Sequence, residues 1–180
     1  MRREPCRVRA RYFLRQTMRS KVGGPIQSWG VADVVQGDAR VVNWASGNAA
    51  ATVTVARGAA RIIFSGDVSA QVLRDVSRFM AKRIDPGVVR VVMLRMELAR
   101  SAWHPSEMMA FLQDHMRCPL MRLPRAIVVR PEDAMVCQVH AWAAAELGLV
   151  RAIFTDVALA AEWVSLRQQA LGYSTRSSAR

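Results

Sequence analysis

Residues 149–172 read LVRAIFTDVALAAEWVSLRQQALG, a short apolar run that passes straight into a helix. Val150, Ala152, Ile153 and Phe154 give the pattern of a strand covered on both faces. Thr155 offers a side-chain oxygen to cap the backbone N–H groups of the following helix, and Asp156 favours that helix's positive end. Val157, Ala160, Ala161, Val164 and Leu171 recur at helical spacing, and Leu159, Trp163 and Leu166 widen the stripe. Arg167 falls late in the helix and Gly172 stands where a stop is expected. The strand-to-helix turn carries no glycine, so it makes no provision for close backbone approach to a pyrophosphate. The segment is architecture.

The same unit recurs upstream. PEDAMVCQVHAWAAAELG is a helix with Pro131 and two acids at its start and Gly148 at its end, and AIVV, 126–129, is the strand before it. VVRVVML, 88–94, is the clearest buried strand in the chain. Between them, Pro105 suits a first helical turn, and the helix it opens presents Met108, Met109, Leu112 and Met116 before the loop RCPLMRLP. Further back, Asp67 is placed to cap a helix running from Val68 towards Arg83, whose Val72, Val76, Phe79 and Met80 share a face. Asp85-Pro86-Gly87 breaks it. ATVTV and RIIFS are two strands separated by the turn-like ARGAA. The order β-β-α-β-α-β-α-β-α predicts an α/β fold whose sheet is mixed but mostly parallel, with helical crossovers.

The first fifty residues differ from this. Residues 1–21 hold eight basic groups against Glu4 alone, so +7 of the chain's net +12 sits there and only +5 is spread over the remaining 159 residues. Lys21 and Lys82 are the only lysines; with abundant Ala and Val, the arginine excess reads as coding bias, and no predicted face lines up basic side chains. Specific nucleic-acid binding is therefore not expected. VGGPIQSWG is a loop, DVVQGDARVVNW a candidate hairpin around Gln36-Gly37-Asp38, and ASGNAA a link to the main domain. The organisation expected is a basic, flexible extension over 1–50, a domain over 51–172 and a disordered tail over 173–180.

No apolar run approaches the roughly 18 residues that span a bilayer, so no membrane span is expected. Cys6, Cys118 and Cys137 make an odd count of three, and the first twenty residues lack the apolar core of a secretory signal. A reducing, cytoplasmic setting follows as the expectation, with the cysteines as small packing residues.

The strand–helix order, together with PRAIVVRPEDAMVCQVHAWAAAELGLVRAIFTDVALAAEWV at 124–164, resembles the STAS domain of bacterial anti-sigma-factor-antagonist-like proteins. Leu149, Arg151, Phe154, Thr155, Asp156, Ala160 and Trp163 stand where that family has its short "gl-r-vF" strand and late "A-xx-W". The resemblance covers about residues 51–172. It implies a non-enzymatic, regulatory protein–protein module. Phosphorylated members carry Asp-Ser-x-Gly where the loop after the third strand enters the second helix. This chain has ARSAWHPSEMM there, at 99–109, without the Asp and Gly. Ser106 is the serine nearest the helix start and Ser101 the alternative, so the resemblance marks Ser106 as a candidate phosphorylation point.

His115-x-x-Cys118 and Cys137-x-x-His140 together have the donor set of a zinc site. Successive right-handed crossovers put the end of one helix and the start of the next at opposite ends of a sheet, which separates the pairs. Cys137 and His140 then read as helix residues packed beside Val136 and Ala143. No G-x-S-x-G, P-loop or paired-carboxylate motif is present, and His104 beside Ser106 lacks a third group to orient it, so neither catalysis nor a cofactor is expected. Trp142 and Trp163 read as packing residues, and Trp103 as an exposed anchor. The expected function is contact with a protein partner, or a second copy, through Arg100, Trp103, His104, Met108 and Met109. The alternative is a small apolar ligand or lipid in a cleft lined by Met93, Met96, Met108, Met109, Met116, Met121 or Met135. A deep apolar pocket, rather than a flat surface, distinguishes the second reading from the first.

Overall fold

The computed structural model describes residues 33–36, 39–85, 87–101, 107, 110–113, 116 and 118–171. Their elements run β1 (Asp33–Gln36), β2 (Ala39–Ser46), β3 (Ala49–Ala56), β4 (Ala59–Val68), α1 (Ala70–Arg83), β5 (Val91–Arg95), β6 (Ala99–Ser101), α2 (Pro119–Arg122), β7 (Arg125–Val128), α3 (Ala134–Glu146), β8 (Arg151–Phe154) and α4 (Val157–Ala170). Residues 110–113 are also helical, and a 3₁₀ turn, Pro131–Asp133, leads into α3.

One eight-stranded sheet takes the order β1-β2-β3-β4-β5-β7-β8, with β6 beside the far end of β4. The fold is α/β, and the sheet is mixed in an ordered way. β1 to β4 are an antiparallel meander, whereas β4, β5, β7 and β8 are parallel neighbours in chain order. Two-residue turns make the meander tight. Arg57 and Gly58 both take positive φ (49° and 77°), the primed turn whose twist suits a hairpin, and Gly47 (φ 57°) opens the turn before it.

The burial pattern follows the topology. β3 alternates strictly, with Ala49, Ala51, Val53 and Val55 inward, because only one of its faces is covered. All four residues of β7 are buried, as are Val91 to Leu94 in β5, because helices lie on both faces there. On one face α1 sets Leu73, Val76, Phe79 and Met80 against Ile62, Phe64, Leu94 and Ile127, and Leu120, Met121 and Cys137 join the same cluster. On the other, Ala160 and Val164 of α4 cover Val91, Met93, Ala126 and Val128.

Several expectations need correcting. Residues 39–50 belong to the sheet and not to an extension: Val42 and Trp44 are in the core, and ASGNAA is a hairpin turn between two strands. The helix after β4 begins two residues late, with Ser69 as its cap accepting from the Val72 N–H, because β6 offers Gly66–Val68 a partner and keeps them extended. Asp67 is therefore a strand residue. Asp156, not Thr155, caps α4, accepting from the N–H groups of Ala158 (2.6 Å) and Leu159 (3.1 Å). The strand that opened the sequence reading lies at the sheet edge, where all four of its residues are half-buried.

Gly66 marks a close approach. Its φ is +78°, and a Cβ there would stand 1.7 Å from the carbonyl oxygen of Asn48. Here β4 leaves its pairing with β5 and takes up β6.

Candidate functional site

Between the sheet and the helices of the α1 face lies a cavity of about 190 Å³. Strand parity builds its floor. Ile62, Leu94 and Ile127 are register partners across β4, β5 and β7, and Phe64, Met96 and Val129 follow two residues on, on the same face. Leu73, Val76, Ser77 and Met80 of α1 form one wall, with Phe111, Leu112, Leu120 and Met121 beside them. Val136, Cys137 and His140 of α3 complete the lining.

Going back two residues from Ile127 on the same face reaches Arg125, the first residue of β7. Its register partner in β8 is Arg151, also a first residue, and both line the cavity. Arg125 is only 7% exposed. One of its terminal nitrogens donates to the Leu120 carbonyl (2.9 Å) and to the Met121 sulfur (2.7 Å), while its Nε is shielded from solvent without a hydrogen-bond partner. Arg151 donates to the carbonyls of Leu123 (3.0 Å), Val150 (2.8 Å) and Met121. Among the described residues no carboxylate forms an ion pair with either guanidinium; the one acid at the cavity, Asp133, is held by Arg130 at 2.8 Å.

This environment disfavours charge. Burial first, then the Arg151 charge, brings Arg125 down to about 9, and burial brings Arg151 down to about 10. Burial, then Arg151 and Arg125, lowers His140 to about 4, so its imidazole is neutral at physiological pH. Burial, with Asp133 nearby, raises the Cys137 thiol to about 11, which keeps it out of the nucleophilic thiolate form. The site is thus an apolar chamber with a doubly cationic edge, suited to holding a molecule.

The sequence-predicted residues fall unevenly. Trp103, His104, Ser106, Met108, Met109 and His115 lie outside the described residues. Arg100 is exposed and pairs with Asp67 at 3.0 Å, and Ser101 ends β6 opposite Val68. Met96 and Met121 line the cavity, whereas Met93 packs under α4 and Met135 is 82% exposed. Trp163 is half-buried against Phe154, 6.3 Å between centroids, with the Arg167 guanidinium over its ring. Trp142 does not pack on the sheet: it is 63% exposed, because α3 is apolar on more than its inward side. Cys118 and Cys137 both pack against the core on the α1 face, and Cys137 and His140 line the cavity there. Among the described residues no three His, Cys, Asp or Glu side chains are placed to share a metal ion. Sequence reasoning gave Arg125 no role and took Arg151 only as part of a strand motif, although Arg-Ala-Ile occurs at both 125–127 and 151–153 and marks two equivalent strand starts.

No family model matches this chain, and no curated protein matches it significantly. Among the described residues no helix is long and apolar enough to cross a membrane.

Proposed function

We propose that this domain binds a small, largely apolar molecule, without transforming it, in the chamber between the sheet and α1. The observation that carries this is the cavity itself. About 190 Å³ between the sheet and α1 is left clear of side chains, in a wall that is otherwise closely packed and apolar. Phe64, Leu94 and Ile127 supply an apolar floor, the usual make-up of a ligand site with few polar groups.

The test is the melting temperature of the full chain with and without octan-1-ol, a neutral amphiphile. At ten times its Kd a bound ligand adds about 1.4 kcal/mol, which raises Tm by roughly 3–6 °C for a chain of this size. Cys137→Phe, which fills the chamber from α3, is expected to remove that shift while the variant remains folded by circular dichroism. No shift in the wild type, and no retained small molecule in its native mass spectrum, would sink the reading.

A second reading rests on α3. Met135, Val139 and Trp142 stand one turn apart along its outer side and are 82%, 48% and 63% exposed. Such a stripe with a tryptophan suits contact with a protein partner, as a regulatory STAS-like module requires. The run of parallel strand–helix units from β4 to α4 supports that likeness, and Arg100 together with the segment to Met109 is the second surface such a module would use. Trp142→Ser and the molecular weight in solution test it.

A further inference from the structure

We infer that the ligand of this chamber carries a carboxylate, seated at the Arg125–Arg151 edge, with a hydrocarbon tail lying over Ile127 and Leu94 under α1. The inference rests on the binding role proposed above and names the chemistry of the molecule bound.

The first argument is charge. Two arginines that are register partners at the start of adjacent parallel strands both line the cavity, and no described acid pairs with either. Like charges repel strongly away from water, and an unpaired buried cation is costly. An anion between them relieves both penalties; a neutral head relieves neither.

The second argument is the count of donors. Arg151 already donates to three main-chain carbonyls. Arg125 lines the cavity, its Nε is buried without a partner, and one Nη already donates twice. The edge therefore offers a ligand few open donors, which the two oxygens of a carboxylate match better than the larger set on a phosphate.

The third argument is direction and length. Along β7 the cavity face reads Arg125, Ile127, then Val129, polar at one end and apolar beyond it. Four strand steps at ~3.3 Å give about 13 Å of floor. An apolar cavity of about 150 Å³ holds benzene, so the 190 Å³ here takes roughly eight heavy atoms on the same scale. With the carboxylate oxygens at the arginine edge and only the carbons counted against that space, this describes a medium-chain carboxylate of about six to eight carbons.

The experiment is calorimetric titration of the full chain at pH 7.5 with octanoate, octan-1-ol, octylammonium and octyl phosphate. Octanoate is expected to bind at least tenfold more tightly than octan-1-ol, and octylammonium not measurably. Arg125→Met keeps the bulk of the side chain and removes its charge. It is expected to weaken octanoate at least tenfold and leave octan-1-ol unchanged, and Arg167→Met, on the α4 face of the sheet, is expected to change neither. Should Arg125→Met fail to fold, the wild-type ratio of octanoate to octan-1-ol decides alone. Equal affinity for the two overturns the carboxylate and leaves the apolar chamber standing. Tighter binding of octyl phosphate overturns the carboxylate in favour of a phosphate head. Binding of none of the four overturns both this inference and the function it rests on.

Discussion

His140 gives this domain a built-in sensitivity to mild acid. Its folded-state value of about 4, against 6.5 for an ordinary imidazole, comes from burial first and from Arg151 and Arg125 second. The unfolded chain takes up a proton on His140 as pH falls through about 6.5, and the folded chain resists until about 4. In that window the unfolded state binds more protons, so folding stability falls as pH falls and returns as it rises. A gap of about 2.5 units is worth on the order of 3 kcal/mol in full, of which about 2 kcal/mol is already lost at pH 5. Ordinary carboxylates have hardly begun to titrate there. Urea unfolding of the full chain at pH 7.5 and pH 5.0 measures it, because an m-value of about 2 kcal/mol per molar turns the loss into a midpoint shift of roughly 1 M. His140→Gln removes the titrating group and is expected to cancel most of that shift, which separates its share from those of His104 and His115. Equal shifts in wild type and variant would show that burial and the two arginines do not hold His140 neutral, and the account of the chamber's environment would fail with it.

Three further outcomes follow from the fold. Gly66→Ala places a methyl group 1.7 Å from the Asn48 carbonyl oxygen at a positive φ; a loss of about 3 kcal/mol or more is expected in urea unfolding, and a neutral result would mean that β4 does not make this approach. Asp156→Ala should cost about 1 kcal/mol as a lost helix cap, while Thr155→Val changes stability little; the reverse order would return the cap to Thr155. Trp142→Ser is expected to alter stability by no more than about 0.5 kcal/mol, and a loss of several kcal/mol would place that ring in the core.

The parallel half of the fold was legible in the sequence. Apolar runs such as Val91–Leu94 and Ala126–Val129, buried on both sides, can only be strands inside a sheet that helices cover, and the Pro, Asp and Gly residues between them bound the helices. The antiparallel half was harder to see. ATVTV and RIIFS did mark β3 and β4, and DVVQGDARVVNW the β1–β2 hairpin, but ASGNAA reads as a linker, and only the pairing of β2 with β3 joins that hairpin to the main sheet. Cap positions slipped for a related reason. Asp67 is a good cap in isolation, and only the arrival of β6 beside Gly66–Val68 moves the helix start to Ser69. The methionines pointed towards an apolar cleft, and Met96 and Met121 line one. The cationic edge stayed hidden because an arginine at the head of a strand ordinarily reads as a solvated end. Two of them become one feature only when β7 and β8 lie in register.

That register gives the cavity its electrical character through parity. Arg125, Ile127 and Val129 face the chamber, as do Arg151 and, beside the same core, Ile153, while Ala126, Val128 and Phe154 face α4. An insertion or deletion of one residue inside β7 or β8 would swap these sets, put alanine where a guanidinium stands and turn the arginine towards the opposite helix. Changes of length in the loop after α3 carry no such consequence, because the loop lies outside the count. Evolution can therefore retune this chamber gradually through its walls, but its cationic edge can only be kept or lost in one step.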